Sequence, residues 1–74
     1  MRKFNSLREA INTICKEQNW LVDCFKMVPQ FNCVRKWCYT NGAVCFEIDT
    51  NTREVIFYNS TKFWSSPVEI VGIN

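Results

Sequence analysis

The chain has no histidine, and it has only two glycines and two prolines. Without histidine, a Cys–His catalytic pair is excluded, because the thiol has no imidazole base beside it. With two glycines there is no phosphate-binding glycine loop of the kind that nucleotide enzymes use. No apolar run approaches the roughly 18 residues that a membrane span needs. We therefore predict a non-enzymatic protein with no cofactor and no membrane segment.

Cysteine is more frequent, but its pattern is typical of neither a disulfide scaffold nor a zinc site. The five cysteines are Cys15, Cys24, Cys33, Cys38 and Cys45. The count is odd, and the basic start Met1-Arg2-Lys3 is not followed by the apolar stretch of a signal peptide. The spacing lacks the close cysteine pairs of zinc sites, and histidine ligands are absent. We expect a cytoplasmic protein with reduced thiols and no bound metal.

Length and composition set the scale of the core. Seventy-four residues predict one domain, residues 1–74, which buries only about 60% of its unfolded surface. The chain carries six Phe, three Trp and two Tyr, and its formal net charge is only +2. A few large rings fill a core of this size, since each buries roughly 150–250 Å². Some aromatic side chains are therefore expected to be exposed or to contact a partner.

The N-terminal segment predicts a helix over residues 6–18. Ser6 and Glu9 have the spacing of a capping box, in which Ser6 accepts from the Glu9 amide and Glu9 accepts from the Ser6 amide. Asn19 is suited to the left-handed residue that ends a helix. One apolar stripe runs along the helix. Its members are Leu7, Ala10, Ile11, Ile14 and Cys15.

The strongest local signal is Asn41-Gly42, which lies between two β-rich segments, residues 31–40 and 43–49. Asn-Gly predicts a two-residue hairpin turn, and the turn fixes which residues of the two strands are opposite each other. In that register one face of the hairpin collects an apolar cross-strand cluster. Its members are Trp37, Tyr39, Val44, Phe46 and Ile48.

The same register places Lys36 opposite Glu47 and Cys38 opposite Cys45 on the other face. The first is an opposite-charge pair, and a slip of one residue would destroy both this pair and the apolar cluster. The cysteines are expected to form a hydrogen-bonded pair with Cα atoms about 5.5 Å apart, which is a distance that a disulfide allows. The expected cytoplasmic location favours reduced thiols at Cys38 and Cys45.

The remaining segments differ in how clearly they are patterned. Residues 20–28 fit either a helix or a strand; the density of Trp, Val and Phe before Pro29 favours a strand with both faces partly covered. Glu54 to Asn59 predicts a strand that is apolar on both faces and therefore central or doubly covered. Residues 60–62 break that strand, and Val68 to Val71 predicts a short edge strand.

These elements predict an α+β fold. The N-terminal helix packs on one face of a four- to five-stranded, mostly antiparallel β-meander. The helix stripe is expected on the face that carries Trp37, Tyr39 and Phe46. One helix leaves the opposite face to solvent or to a partner.

The uncovered face favours a protein that binds another protein or a second copy of itself. The candidate partner-binding residues are Arg35, Lys36, Tyr58, Lys62, Phe63 and Trp64. Small size, the expected reduced thiols, the absence of a catalytic set and abundant Asn suggest a phage or mobile-element accessory protein that inhibits a host system.

The alternative is a small RNA- or DNA-binding module. Its basic residues would be Arg35, Lys36, Lys62 and the N-terminal Arg2-Lys3, and sheet aromatics such as Trp37 would stack on bases. The glycine-aromatic pattern of RNA-binding sheets is missing. The helix would also cover the aromatic face. The two hypotheses differ in salt response, because phosphate contacts weaken steeply with salt.

Overall fold

A computed structural model describes residues 1–29, 33–59 and 66–74. This part of the chain contains one α-helix and six strands. They are β1 (Lys3–Phe4), α1 (Leu7–Gln18), β2 (Phe25–Val28), β3 (Val34–Tyr39), β4 (Val44–Asp49), β5 (Glu54–Asn59) and β6 (Ser66–Ile73). A short 3-10 turn, Val22–Cys24, precedes β2. The predicted α+β class is confirmed.

The strands form one sheet in the order β1-β6-β5-β4-β3-β2. From β2 to β6 each strand pairs antiparallel with the next, which confirms the meander. The described residues form six strands, so the prediction of four or five was wrong. The additional strand, β1, pairs parallel with β6 over only two residues, a length that carries no periodic signal.

The last strand differs from its prediction in length and position. It runs over Ser66–Ile73 and lies between β1 and β5, so it is not the short edge strand predicted for Val68–Val71. β1 covers its outer side, where the Gly72 N–H donates to the Arg2 carbonyl at 2.9 Å. The predicted strand break at residues 60–62 lies outside the described residues.

The helix begins and ends where the sequence predicts. Ser6 is its N-cap and accepts from the Glu9 N–H at 3.1 Å, while Asn19 ends it with φ of 63°. One detail differs, because the Glu9 carboxylate accepts from the Asn5 N–H at 2.9 Å and not from that of Ser6. α1 is not long and apolar enough to cross a membrane, and no other helix in the described ranges is.

The core lies between α1 and one face of the sheet. Its buried members are Ala10, Ile14, Phe46, Val55, Phe57 and Val71. Trp37 and Ile48 are half-buried beside them, so the helix packs on the predicted aromatic face. α1 contacts β1, β6 and the 3-10 turn. The helix therefore lies towards the β1 side of the sheet, and β2 is at the opposite edge.

The β3–β4 hairpin has the predicted register with a different turn. Lys36 is opposite Glu47, and their charged groups are 3.3 Å apart. The Gly42 N–H donates to the Tyr39 carbonyl at 2.8 Å, and Gly42 has positive φ but Asn41 does not. A two-residue Asn-Gly turn requires positive φ at both residues. The strands are instead joined by four residues, 40–43.

This longer connection changes the cysteine pair. Cys38 and Cys45 are opposite each other as predicted, but their Cα atoms are 4.1 Å apart. That distance is typical of a non-hydrogen-bonded pair, since the four-residue connection displaces the hydrogen-bond ladder by one pair. The two sulfur atoms form a disulfide, so the prediction of reduced thiols was wrong for these residues.

Candidate functional site

The predicted partner-binding residues do not form one site. Arg35 is exposed and shares its strand face with Trp37, whereas Lys36 and Tyr58 are half-buried on the opposite, uncovered face. Lys62, Phe63 and Trp64 lie outside the described residues, so their predicted role stays a prediction.

Lys36 and Tyr58 add no unpaired charge to the uncovered face. The Lys36 ammonium forms its ion pair with Glu47 on the neighbouring strand. Partial burial, together with the nearby charge of Glu47, raises the pKa of Tyr58 above its ordinary value. At neutral pH the Tyr58 phenol is therefore protonated, and it contributes no charge to the uncovered face.

The exposed apolar surface of the described residues is concentrated elsewhere, in residues 21–28, which we call the edge segment. Four of the six exposed large apolar side chains lie there. They are Leu21, Val22, Met27 and Val28, with exposed fractions of 68, 40, 53 and 40%. Large apolar side chains grouped on a surface are typical of interaction sites, whereas scattered ones are ordinary.

Local hydrogen bonds fix the edge segment as it leaves the helix. Asn19 reverses the chain in its left-handed conformation, and the Leu21 N–H donates to the Tyr39 hydroxyl of β3. The Cys24 N–H then donates to the Leu21 carbonyl at 3.0 Å, which closes the 3-10 turn. These bonds hold the Leu21 and Val22 backbone against the sheet while their side chains remain exposed.

Phe25 anchors the edge segment to the core. Its ring centroid is 4.5 Å from that of Tyr39 and 5.2 Å from that of Phe46, and Trp20 meets it edge-on at 6.4 Å. Aromatic pairs at these distances add stability beyond the area that they bury. The segment is therefore a fixed surface, and its exposed side chains have a defined arrangement.

A groove runs between α1 and the 3-10 turn, which is the first part of the edge segment. Its apolar wall consists of Leu7 and Ile11 on the helix and Val22 on the turn. Arg8 and Asp23 also line it, and both are exposed. The groove adjoins the edge segment, because Val22 belongs to both. A groove with an apolar wall and charged residues at its margin is typical of a protein-binding surface.

The sequence contains a signal for this site, but the signal predicts a different environment for the segment. The density of apolar residues before Pro29 predicts a strand with both faces partly covered. In the structure only Phe25–Val28 is a strand, and it lies at the edge of the sheet. The apolar residues are present, but the strand order leaves Met27 and Val28 exposed.

At pH 8, Cys24 and Cys33 are expected to react with iodoacetamide in the native protein, whereas Cys15 reacts only after unfolding. Cys15 is buried, and burial raises the pKa of its thiol to about 11. The thiolate is the reactive form, so only about 0.1% of Cys15 is reactive at that pH even where reagent reaches it. Cys38 and Cys45 require a reductant first.

Peptide mass spectrometry with and without reductant measures this order of reaction. Rapid native labelling of Cys15 would show that the α1–sheet interface opens readily. Labelling of Cys38 and Cys45 without reductant would show that the two sulfurs are not bonded.

The described residues offer no metal centre, since no three His, Cys, Asp or Glu side chains among them converge. No protein-family model, no curated protein and no solved structure matches the chain. The candidate site is therefore defined by its own geometry: an exposed apolar edge segment, a sheet edge and an adjoining groove.

Proposed function

We propose that this chain is a small non-enzymatic binding protein and that it binds another protein through the edge segment and the adjoining groove. The observation that carries the proposal is the concentration of exposed large apolar side chains in residues 21–28. Leaving Leu21 and Met27 exposed to water is unfavourable, at about 25 cal/mol per Å² of apolar surface. A partner that covers them recovers this free energy.

The size of the protein also supports a role in binding. A domain of this length rarely gains more than about 3–5 kcal/mol from its own core. A partner that binds only the folded state adds stability that grows with the logarithm of its concentration once that concentration exceeds Kd. An inhibitory role in a phage or mobile element stays a prediction, because it depends on the identity of the partner.

The proposal is tested by affinity capture from the native host's lysate with the tagged chain and two variants. Met27→Glu places a charge in the exposed edge segment. Ile70→Glu is the matched control, because Ile70 is similarly exposed, at 41%, but lies on β6 near the other edge of the sheet. We expect a protein that the wild type and Ile70→Glu retain and that Met27→Glu loses at least tenfold.

Circular dichroism of the three proteins establishes that all are folded, so that a loss of capture reports on the surface. Retention of the same proteins by Met27→Glu would overturn the proposed site. Loss with Ile70→Glu alone would place the interface on the uncovered face of the sheet. Nuclease treatment of the lysate distinguishes direct capture from capture through a nucleic acid.

The nucleic-acid alternative loses several of its residues to internal contacts. Arg2 bridges Glu17 at 2.7 Å and Glu69 at 2.6 Å, and these bonds raise the pKa of Arg2 further and lower that of Glu17. Trp37 is half-buried and stacks on Phe46 with centroids 5.0 Å apart. Binding of random oligonucleotides that weakens steeply with salt would restore this alternative.

A further inference from the structure

We infer that the partner adds a strand to β2, and that the added segment is extended and alternates apolar side chains with an acidic one opposite Lys26. The inference rests on the proposed function and specifies the chemistry of the partner. Three features of β2 support it: its unpaired edge, its exposed apolar side chains and its exposed cation.

The first feature is the backbone. β2 is the last strand in the sheet order, and its described strand neighbour is β3 alone. An edge strand directs alternate N–H and C=O groups away from the sheet, where an extended segment can pair with them. The other edge is β1, which offers only two residues.

The second feature is the distribution of side chains on the two faces. Phe25 and Met27 share the face that carries α1, as their cross-strand partners Tyr39 and Trp37 show, and Met27 is 53% exposed. Lys26 is on the other face and is exposed. An added strand therefore presents apolar side chains beside Phe25 and Met27, and its intervening side chain lies opposite Lys26.

The third feature is charge. Lys26 is opposite Cys38, and none of the ion pairs of the described residues includes it. Lys36, on the same face of the neighbouring strand β3, forms an ion pair with Glu47. An acidic residue of the partner has an unpaired ammonium directly opposite it, and opposite-charge cross-strand pairs stabilise a sheet.

Lys26 also disfavours the simplest alternative, a second copy of the chain on the same edge. Opposite residues of an antiparallel pair share a face, so two β2 strands that continue one sheet pair only residues of like parity. Lys26 of one copy is then opposite either Lys26 or Val28 of the other copy. In the first case the two ammonium groups are directly opposite, and in the second they are diagonal neighbours. Like charges in these positions destabilise the pairing, so the lysine selects against self-association and for an acidic segment.

The test uses a fluorescein-labelled peptide, acetyl-Ser-Thr-Val-Glu-Val-Thr-Ser-amide, on a flexible linker. Its core reads the same in both directions, so Glu occupies the same place in parallel and antiparallel pairing. The comparison peptide carries Lys in place of Glu, and a third has its three central residues N-methylated to remove backbone donors. Fluorescence anisotropy measures binding to wild type, Lys26→Glu and Met27→Glu.

We expect the wild type to bind the Glu peptide about tenfold more tightly than the Lys peptide, and Lys26→Glu to invert this order. N-methylation and Met27→Glu are each expected to weaken binding about tenfold or more. Equal binding of the Glu and Lys peptides to the wild type would overturn the inference. So would a wild-type dimer in sedimentation equilibrium that Met27→Glu dissociates, because the occupant would then be a second copy.

Failure of the inference and failure of the proposed function give different results. If no peptide binds while lysate capture still depends on Met27, the partner uses the apolar surface without adding a strand, and only the inference fails. If neither peptide binding nor Met27-dependent capture occurs, both fail.

Discussion

Replacing Phe57 with alanine is expected to leave the chain unfolded at 25 °C. Phe57 has no exposed surface, and it is the largest fully buried side chain among the described residues. Its ring lies 5.7 Å from that of Phe46, and helix residues cover the same core. Truncation of a buried phenylalanine costs about 3–5 kcal/mol, because transfer free energy is lost and a cavity remains.

That cost equals the whole stability that a core of this size usually supplies, about 3–5 kcal/mol. Far-UV circular dichroism of Phe57→Ala should therefore lack a cooperative urea transition. Phe57→Leu, which retains most of the buried volume, should show a transition at lower urea than the wild type. Phe57→Leu therefore measures the loss of stability at this position even when Phe57→Ala does not fold.

Ile56→Ala is the matched control for this experiment. Ile56 precedes Phe57 on β5 and lies on the uncovered face, where it is only half-buried. We expect it to lose about 1 kcal/mol, since partly exposed sites lose less than buried ones. A Phe57→Ala protein as stable as Ile56→Ala would mean that the helix does not seal the sheet face.

The hairpin shows what the sequence could establish about this fold. Its register follows from two patterned strands, and that information is distributed over side chains such as Trp37, Phe46, Lys36 and Glu47. The turn depends on the conformation of a few residues, and Asn41 does not adopt the positive φ that its type favours. Because side chains on both faces of the hairpin specify the same register, the register is retained although the turn differs from the predicted one.

The strand number was less predictable because it depends on long-range pairing. β1 has two residues and is a strand only because β6 lies beside it. β6 in turn pairs with β5 through a register shift between Phe57 and Tyr58, a β-bulge that no periodic pattern indicates. The ends of the meander therefore required the structure, whereas its central three strands did not.

The candidate site depended on the same kind of information. An apolar strand is well covered at the centre of a sheet and less covered at its edge. The sequence of residues 21–28 does not show which of these two positions the strand occupies. The exposure of Met27 follows from two distant facts, the place of β2 at the sheet edge and the contacts of α1 with β1 and β6. The apolar character of residues 21–28 was evident from the sequence, but none of them was among the predicted partner-binding residues, because their exposure depends on the strand order.

Replacing Ile14 with alanine is expected to cost about 2–4 kcal/mol, whereas the same change at Ile11 should cost about 1 kcal/mol or less. Both belong to the apolar stripe of α1, and the sequence does not rank them. In the structure Ile14 is 1% exposed within the core, while Ile11 is half-buried and lines the groove beside the 3-10 turn.

Urea unfolding followed by tryptophan fluorescence measures the difference, and the slope of the transition establishes whether both variants remain two-state. The two variants should also separate stability from binding. Ile11→Ala removes part of the apolar wall of the groove, so it is expected to weaken partner capture while the fold is retained. Equal losses of stability at the two positions would show that the groove is closed in solution, and the adjoining surface would then be reduced to the β2 edge alone.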